Sequence, residues 1–179
     1  MPYISRRRFL VAAAQAAGGL LILPPLTCWA AKPRKYPLTF FHTHTEECLK
    51  ILHTPGSFSS AVQRKIEVFL RDFRTGDVHP IDPKLLDMLC KIQKATGSRG
   101  TIEIISGYRS PQTNSMLCHD TSGVARHSLH MKGQAVDVRI TDLPTLALRD
   151  TAAAMRAGGV GYYAQSDFVH LDTGRFRTW

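Results

Sequence analysis

The sequence has no apolar run of 18 or more residues beyond position 30, so no membrane-spanning segment is expected in the body of the chain. It has no internal repeat, no low-complexity tract and no Ser/Gly-rich stretch long enough to divide it, which leaves one domain rather than an array. Cysteine is scarce: there are four, none in a Cys-x-x-Cys pair, so neither a zinc knuckle nor a dithiol redox motif is supported. Acidic residues number 14 against 23 Lys and Arg, yet the excess forms no basic helix and no patch interleaved with aromatics. That argues against nucleic acid as a partner. What is present is an ordinary globular composition over 179 residues, 44% apolar and 21% charged.

The first segment is the most distinctive by composition. Ser5-Arg6-Arg7-Arg8-Phe9-Leu10 leads into a weakly apolar run to Leu23, too short to span a bilayer, followed by Pro24-Pro25 and small residues near Ala30. This order of charged, apolar and small residues reads as a signal peptide over residues 1–30, cleaved after Ala30. The paired arginines followed by Phe-Leu resemble the twin-arginine signal, which implies the twin-arginine translocase as export partner and a periplasmic location. An uncleaved signal would instead tether the chain to the membrane. Removal of the segment takes Cys28 with it and leaves Cys48, Cys90 and Cys118, which allow at most one internal pair; buried thiols are the expectation.

Residues 31–37 are basic and contain proline, as a short linker would, and the domain is expected over residues 38–179. Leu38 to His42 and Cys48 to His53 read as a hairpin. Val62, Ile66, Phe69, Leu70 and Phe73 recur at helical spacing between Ser59 and Arg74. Asp82-Pro83 opens a second helix, with Leu85, Leu89 and Ile92 on one face and Gly97 at its end. Thr101 to Ile105 and Gln134 to Ile140 read as strands, and Pro111 to His119 and Leu143 to Ala157 as helices. Val160 to Tyr163 and Phe168 to Asp172 read as a closing hairpin. Helices come early and strands late, which predicts an α+β fold with helices packed on a small antiparallel sheet.

The chemistry lies in the second half. His130 and Asp137 are seven positions apart with Gly133 as a turn between them, and His170 stands in the last of these strands. Two imidazoles and one carboxylate make a three-ligand set that leaves the fourth position of a tetrahedral zinc open, the pattern of a catalytic rather than a structural site. The words around them extend that reading: Ser128-Leu129-His130-Met131-Lys132-Gly133-Gln134-Ala135-Val136-Asp137, preceded by Ser106-Gly107-Tyr108-Arg109 and followed by Phe168-Val169-His170-Leu171-Asp172.

These motifs resemble the M15-clan zinc peptidases that cut D-amino-acid-containing wall peptides, related in architecture to the hedgehog zinc domain, and most of all the murein endopeptidase K group. The likeness continues through Met155 to Tyr163 and a Thr-Gly run ending in Trp179. The resemblance implies zinc held by His130, Asp137 and His170, with Arg109 binding substrate or the developing oxyanion, and Ser128 orienting the loop or hydrogen-bonding a ligand. It also implies a general base three residues before the last histidine, where Asp167 stands in place of the usual glutamate. Asp172 is the rival for that role, because strand alternation sets it on the face of His170. Either aspartate would otherwise hold a histidine's second nitrogen.

His127 reads as a solvated loop histidine. The expected activity is hydrolysis of peptidoglycan stem-peptide cross-links, of 3-3 or 4-3 type, at an amide flanked by D-centres. The net charge of +6 beyond residue 30 suits an anionic wall. The alternatives are a carboxypeptidase or dipeptidase releasing D-alanine, and a zinc-containing wall-binding protein without turnover.

Overall fold

The computed structural model describes residues 34–57, 59–120 and 124–179, so the expected signal over residues 1–30 lies outside the described residues. In chain order the elements are β1 (Tyr36–His42), β2 (Cys48–His53), α1 (Ser60–Phe69), α2 (Lys84–Thr96), β3 (Ile102–Ser106), α3 (Pro111–Asp120), β4 (Ala135–Ile140), α4 (Thr145–Met155), β5 (Gly159–Tyr163), β6 (Phe168–Asp172) and β7 (Arg177–Thr178). A short 3₁₀ turn, Leu129–Lys132, leads into β4. β1 begins two residues before the expected domain start, because Tyr36 and Pro37 already pair with His53 and Leu52.

One sheet orders the strands β2-β1-β3-β4-β6-β5-β7, and the α+β class read from the sequence holds. The sheet is mixed rather than wholly antiparallel. β1 runs parallel to β3, because the β2 hairpin arm and helices α1 and α2 carry the chain over before it re-enters beside β1. β5 likewise runs parallel to β7.

The central strands explain the two layers. Ile102 and Ile104 of β3, Val136, Val138 and Ile140 of β4, and Val169 and Leu171 of β6 are buried. With Leu85, Leu89 and Ile92 of α2 and Leu148 and Ala152 of α4 they form a single core. The alternate positions, Asp137 and Arg139 on β4, Phe168, His170 and Asp172 on β6 and Gly161 and Tyr163 on β5, turn to the other face. Asp137, His170 and Gly161 lie in one row across three strands.

Helix α1 ends at Phe69, earlier than Phe73 in the periodic pattern. The buried Asp72 carboxylate draws the chain into a turn there, accepting from the Arg74 and Ser110 amides at 2.9 and 2.8 Å. The three thiols are free, and Cys48 is exposed rather than buried. Burial, reinforced by Asp87, pushes the Cys90 thiol up to about 12. Among the described residues no helix is long and apolar enough to cross a membrane.

Candidate metal centre

The loop that carries His130 is fixed by its backbone. Ser128 caps the 3₁₀ turn, its Oγ accepting from the His130 amide at 3.3 Å. Gly133 ends the turn in the left-handed region at φ 62°, where a Cβ would stand 2.0 Å from the Pro80 carbonyl oxygen. Its own carbonyl accepts from the Asp82 amide at 2.8 Å, which ties the loop to the start of α2. On the other side β3 bulges after Ile104. Gly107 then passes so close to Leu70 that a Cβ would lie 2.6 Å from that residue's carbonyl oxygen. The Gly107 carbonyl in turn accepts from His130 Nδ1 at 2.7 Å.

That bond settles the tautomer. A carbonyl cannot donate, so Nδ1 of His130 carries the hydrogen and Nε2 presents a lone pair. His170 lies between two carboxylates, with Nε2 3.1 Å from Asp172 Oδ2 and Nδ1 2.8 Å from Asp137 Oδ1; in the neutral ring a hydrogen held on Nε2 by Asp172 leaves the lone pair on Nδ1. His130 Nε2 lies 3.2 Å from His170 Nδ1 and 3.3 Å from Asp137 Oδ1, and His170 Nδ1 lies 2.8 Å from Asp137 Oδ1. With His170 neutral in that tautomer, three buried lone-pair atoms converge on one point. Bonds of about 2.0–2.1 Å to a tetrahedral cation would set such atoms about 3.3 Å apart. The donor set fits a small divalent metal, two imidazoles and a carboxylate.

Without a cation a proton serves in its place. Burial opposes a charge on His170, but the hydrogen bonds and charges of Asp137 and Asp172 prevail and raise its pKa to about 9. Burial alone would raise Asp137; the facing His130 and His170 outweigh it and hold this carboxyl well below the usual range. Asp172 is fully buried, and its carboxylate is occupied on every side. Besides His170 it accepts from the amides of Gly159 and Gly174 at 3.0 and 2.9 Å, and from Arg177 Nη1 and Nη2 at 3.1 and 2.6 Å.

The cluster opens on a cavity of about 770 Å³ that Arg109, His127, Ser128, Tyr163, Phe168, Arg177 and Trp179 also line. Arg109 Nη1 donates to Asn114 Oδ1 at 3.3 Å, and its buried Nε has no partner among the described residues. Burial lowers the guanidinium's pKa, an effect that Asp137 partly offsets. His127, expected as a solvated loop histidine, is exposed but stands on the cavity wall.

Asp167 lies away from the His130, Asp137 and His170 cluster. The residue sits in the β5–β6 turn with φ 49°, where its Oδ1 accepts from Thr145 Oγ1 at 2.8 Å and its Oδ2 lies 4.0 Å from Arg139. It lines a separate cavity with Glu103, Arg139 and Thr145, and the turn's backbone, not the spacing to His170, decides where it points.

Three residues that sequence reasoning passed over complete the site. Asn114 is buried on α3 and donates through Nδ2 to the Ala125 and Arg126 carbonyls at 3.2 and 3.3 Å, joining Arg109 to the His127 loop. Arg177 backs Asp172, and Trp179 walls the cavity. The cap Ser110-Pro111 at the head of α3 was the available signal for Asn114; Arg177 and Trp179 depend on the pairing of β7 with β5, which leaves no local mark.

Residues 29–179 match the M15 peptidase family described as peptidoglycan L,D-endopeptidase MepK. The chain is similar to the peptidoglycan L,D-endopeptidase MepK of Escherichia coli, at 39% identity over 98% of this chain and 97% of the relative. The protein of that name from Shigella flexneri matches to the same extent. The probable peptidoglycan L,D-endopeptidase MepK of Haemophilus influenzae is 41% identical over 90% of this chain and 88% of its own length.

Proposed function

Because the chain belongs to the M15 family of peptidoglycan L,D-endopeptidases, and is therefore a peptidoglycan-cleaving peptidase, we propose that it hydrolyses stem-peptide cross-links with zinc held by His130, Asp137 and His170. The observation that carries this reading is the convergence of two imidazole nitrogens and one carboxylate oxygen, all buried, on the wall of a cavity that also holds Arg109. Bound zinc supplies Lewis-acid polarisation of the scissile carbonyl and lowers the pKa of a water toward neutrality.

The side chains do the rest. Arg109 is held by Asn114 and keeps its buried Nε free, so a fixed guanidinium faces the cavity, where it stabilises negative charge developing on the carbonyl oxygen. Asp172 holds the hydrogen of His170 Nε2 and thereby aims Nδ1 at the cluster. Asp172 has no free lone pair to act as base, and Asp167 faces the other cavity. The group we assign to take the proton from the attacking water is His127, an exposed imidazole on the wall of the same cavity.

The L,D designation of the relatives supports an amide joining an L-centre to a D-centre, as in 3-3 cross-links. It favours that bond over the amide between two D-centres expected from the sequence. Export by the twin-arginine route to the periplasm belongs to the same reading; replacing Arg6 and Arg7 together by lysine is expected to leave the protein in the cytoplasm. Incubation of the metal-loaded protein with purified 3-3 and 4-3 cross-linked muropeptides, with and without a chelator, tests the activity. Chelator-sensitive splitting of the 3-3 dimer into monomers is expected. Release of D-alanine alone would mean a carboxypeptidase, and intact muropeptides a binding protein.

A further inference from the structure

Trp179 is the large side chain left open beside the cluster. Its ring lies 5.3 Å from that of His170, it lines the same cavity, and half of its surface, 50%, is exposed. A half-exposed indole lining the cavity that holds the cluster is placed to meet whatever enters it.

The indole is also held in place. Its Nε1 donates to Tyr163 Oη at 3.1 Å, and the Arg177 guanidinium stands over its ring at 4.9 Å. The backbone is anchored on both sides, the Trp179 amide donating to the Val160 carbonyl at 3.3 Å and its carbonyl accepting from the Tyr162 amide at 2.9 Å. Beneath it the sheet is cleared of side chains: Gly161 stands opposite His170, and a Cβ there would meet the indole at 2.5 Å. The stacked pair Tyr163 and Phe168, 4.6 Å between ring centres, continues the aromatic wall. Arg177, which also lines the cavity, is committed to Asp172 at 2.6 Å, so its charge is already answered and the indole and the Tyr163–Phe168 pair supply the apolar surface of this wall.

We propose that Trp179 is a specificity-determining residue that contacts substrate, the exposed part of its indole taking the planar amide and short aliphatic groups of the stem peptide next to the scissile bond. Rigid aromatic faces bind such groups by stacking at little entropic cost. The reach excludes the sugar. Three extended residues, about 10 Å of chain, separate a cross-link at the third stem position from the glycan, whereas the indole abuts a ligand of the cluster.

The inference rests on the proposed reading of the cluster as the hydrolytic centre, and the experiment separates the two. The metal-loaded full chain and its Trp179→Phe, Trp179→Leu and Trp179→Ala variants are assayed on a sugar-free cross-linked peptide and on the same cross-link carried by disaccharides. Metal content and melting temperature are measured alongside. Trp179→Ala is expected to raise KM about threefold to tenfold on both substrates, with kcat nearly unchanged and metal retained. Trp179→Leu is expected to fall between wild type and alanine, and Trp179→Phe to restore most of the loss. Should alanine not fold, the Phe and Leu variants carry the comparison.

A KM that stays at the wild-type value in folded variants overturns the proposal. So does an effect seen only on the sugar-bearing substrate, or a fall in kcat that tracks loss of metal, which would make the indole a support for His170. A wild-type protein that leaves both substrates intact overturns the hydrolytic reading itself.

Discussion

His170 and Asp172 stand two residues apart on β6, and the 3.1 Å contact between Nε2 of one and Oδ2 of the other turns the remaining nitrogen of His170 toward Asp137. The carboxylate thus acts through the imidazole. Its own charge is answered by Arg177 and two backbone amides, so it is held in place whether or not a metal is bound.

Asp172→Asn keeps the size of the side chain and weakens this hold. Metal affinity is expected to fall about 10–100-fold, with activity recovered at excess metal. Titration of the apo-protein with zinc against a competing chelator measures it, and unchanged affinity would remove Asp172 from the site.

Asp167 and His127 give opposite expectations. Asp167→Asn should keep turnover within about threefold of wild type, because its carboxylate is bonded to Thr145 outside the cavity that holds the cluster. His127→Gln should lower kcat by about 10²-fold or more with metal content unchanged. The reverse ranking would return the base to the turn that precedes β6.

The raised pKa of His170 makes the metal-free protein sensitive to alkali. Its folded value of about 9 lies above the ordinary 6.5, so between the two the folded state holds a proton that the unfolded chain has released. The stabilisation is full below about pH 6.5 and is lost as pH rises through about 9, on the order of 3 kcal/mol. A metal takes over the proton's place. Melting temperatures from pH 6 to 9.5 should therefore drop for chelator-treated protein and stay nearly level for the loaded form, and metal uptake at pH 7 should release a proton.

Gly133→Ala tests the loop. A Cβ would press on the Pro80 carbonyl in a backbone conformation that L-residues disfavour, so a loss of about 2 kcal/mol or more in urea unfolding is expected, with weaker metal binding. Gly76→Ala is the control, since its φ of 79° carries the same strain but a Cβ there meets nothing within 4 Å. Equal losses in the two variants would assign the effect to backbone strain alone.

Much of this arrangement is legible in the sequence because it is periodic. Alternation along Ala135 to Ile140 and Phe168 to Asp172 places Asp137, His170 and Asp172 on one face, and apolar spacing finds the buried side of α2. The offset of three from Asp167 to His170 does not bring the two side chains to one cavity, for a physical reason. It crosses from a turn residue at φ 49° into a strand, where spacing no longer encodes direction. The roles of Arg177 and Trp179 are unreadable locally, since β7 is two residues long and takes its place from β5 some 18 positions away. Asn114 acts through carbonyls 11 and 12 residues on, across a segment without a pattern of its own.

The close approach of the Trp179 indole to Gly161 and His170 also gives the molecule an optical gauge. The only other tryptophan is Trp29, so a Trp29→Phe chain emits from a single indole whose ring lies 5.3 Å from that of His170. Cobalt or copper arriving between His130, Asp137 and His170 would quench that emission at contact range, whereas zinc, with a filled d shell, would leave it bright. Filling of the centre, and exchange of one ion for another, would then be followed in real time as a change in brightness.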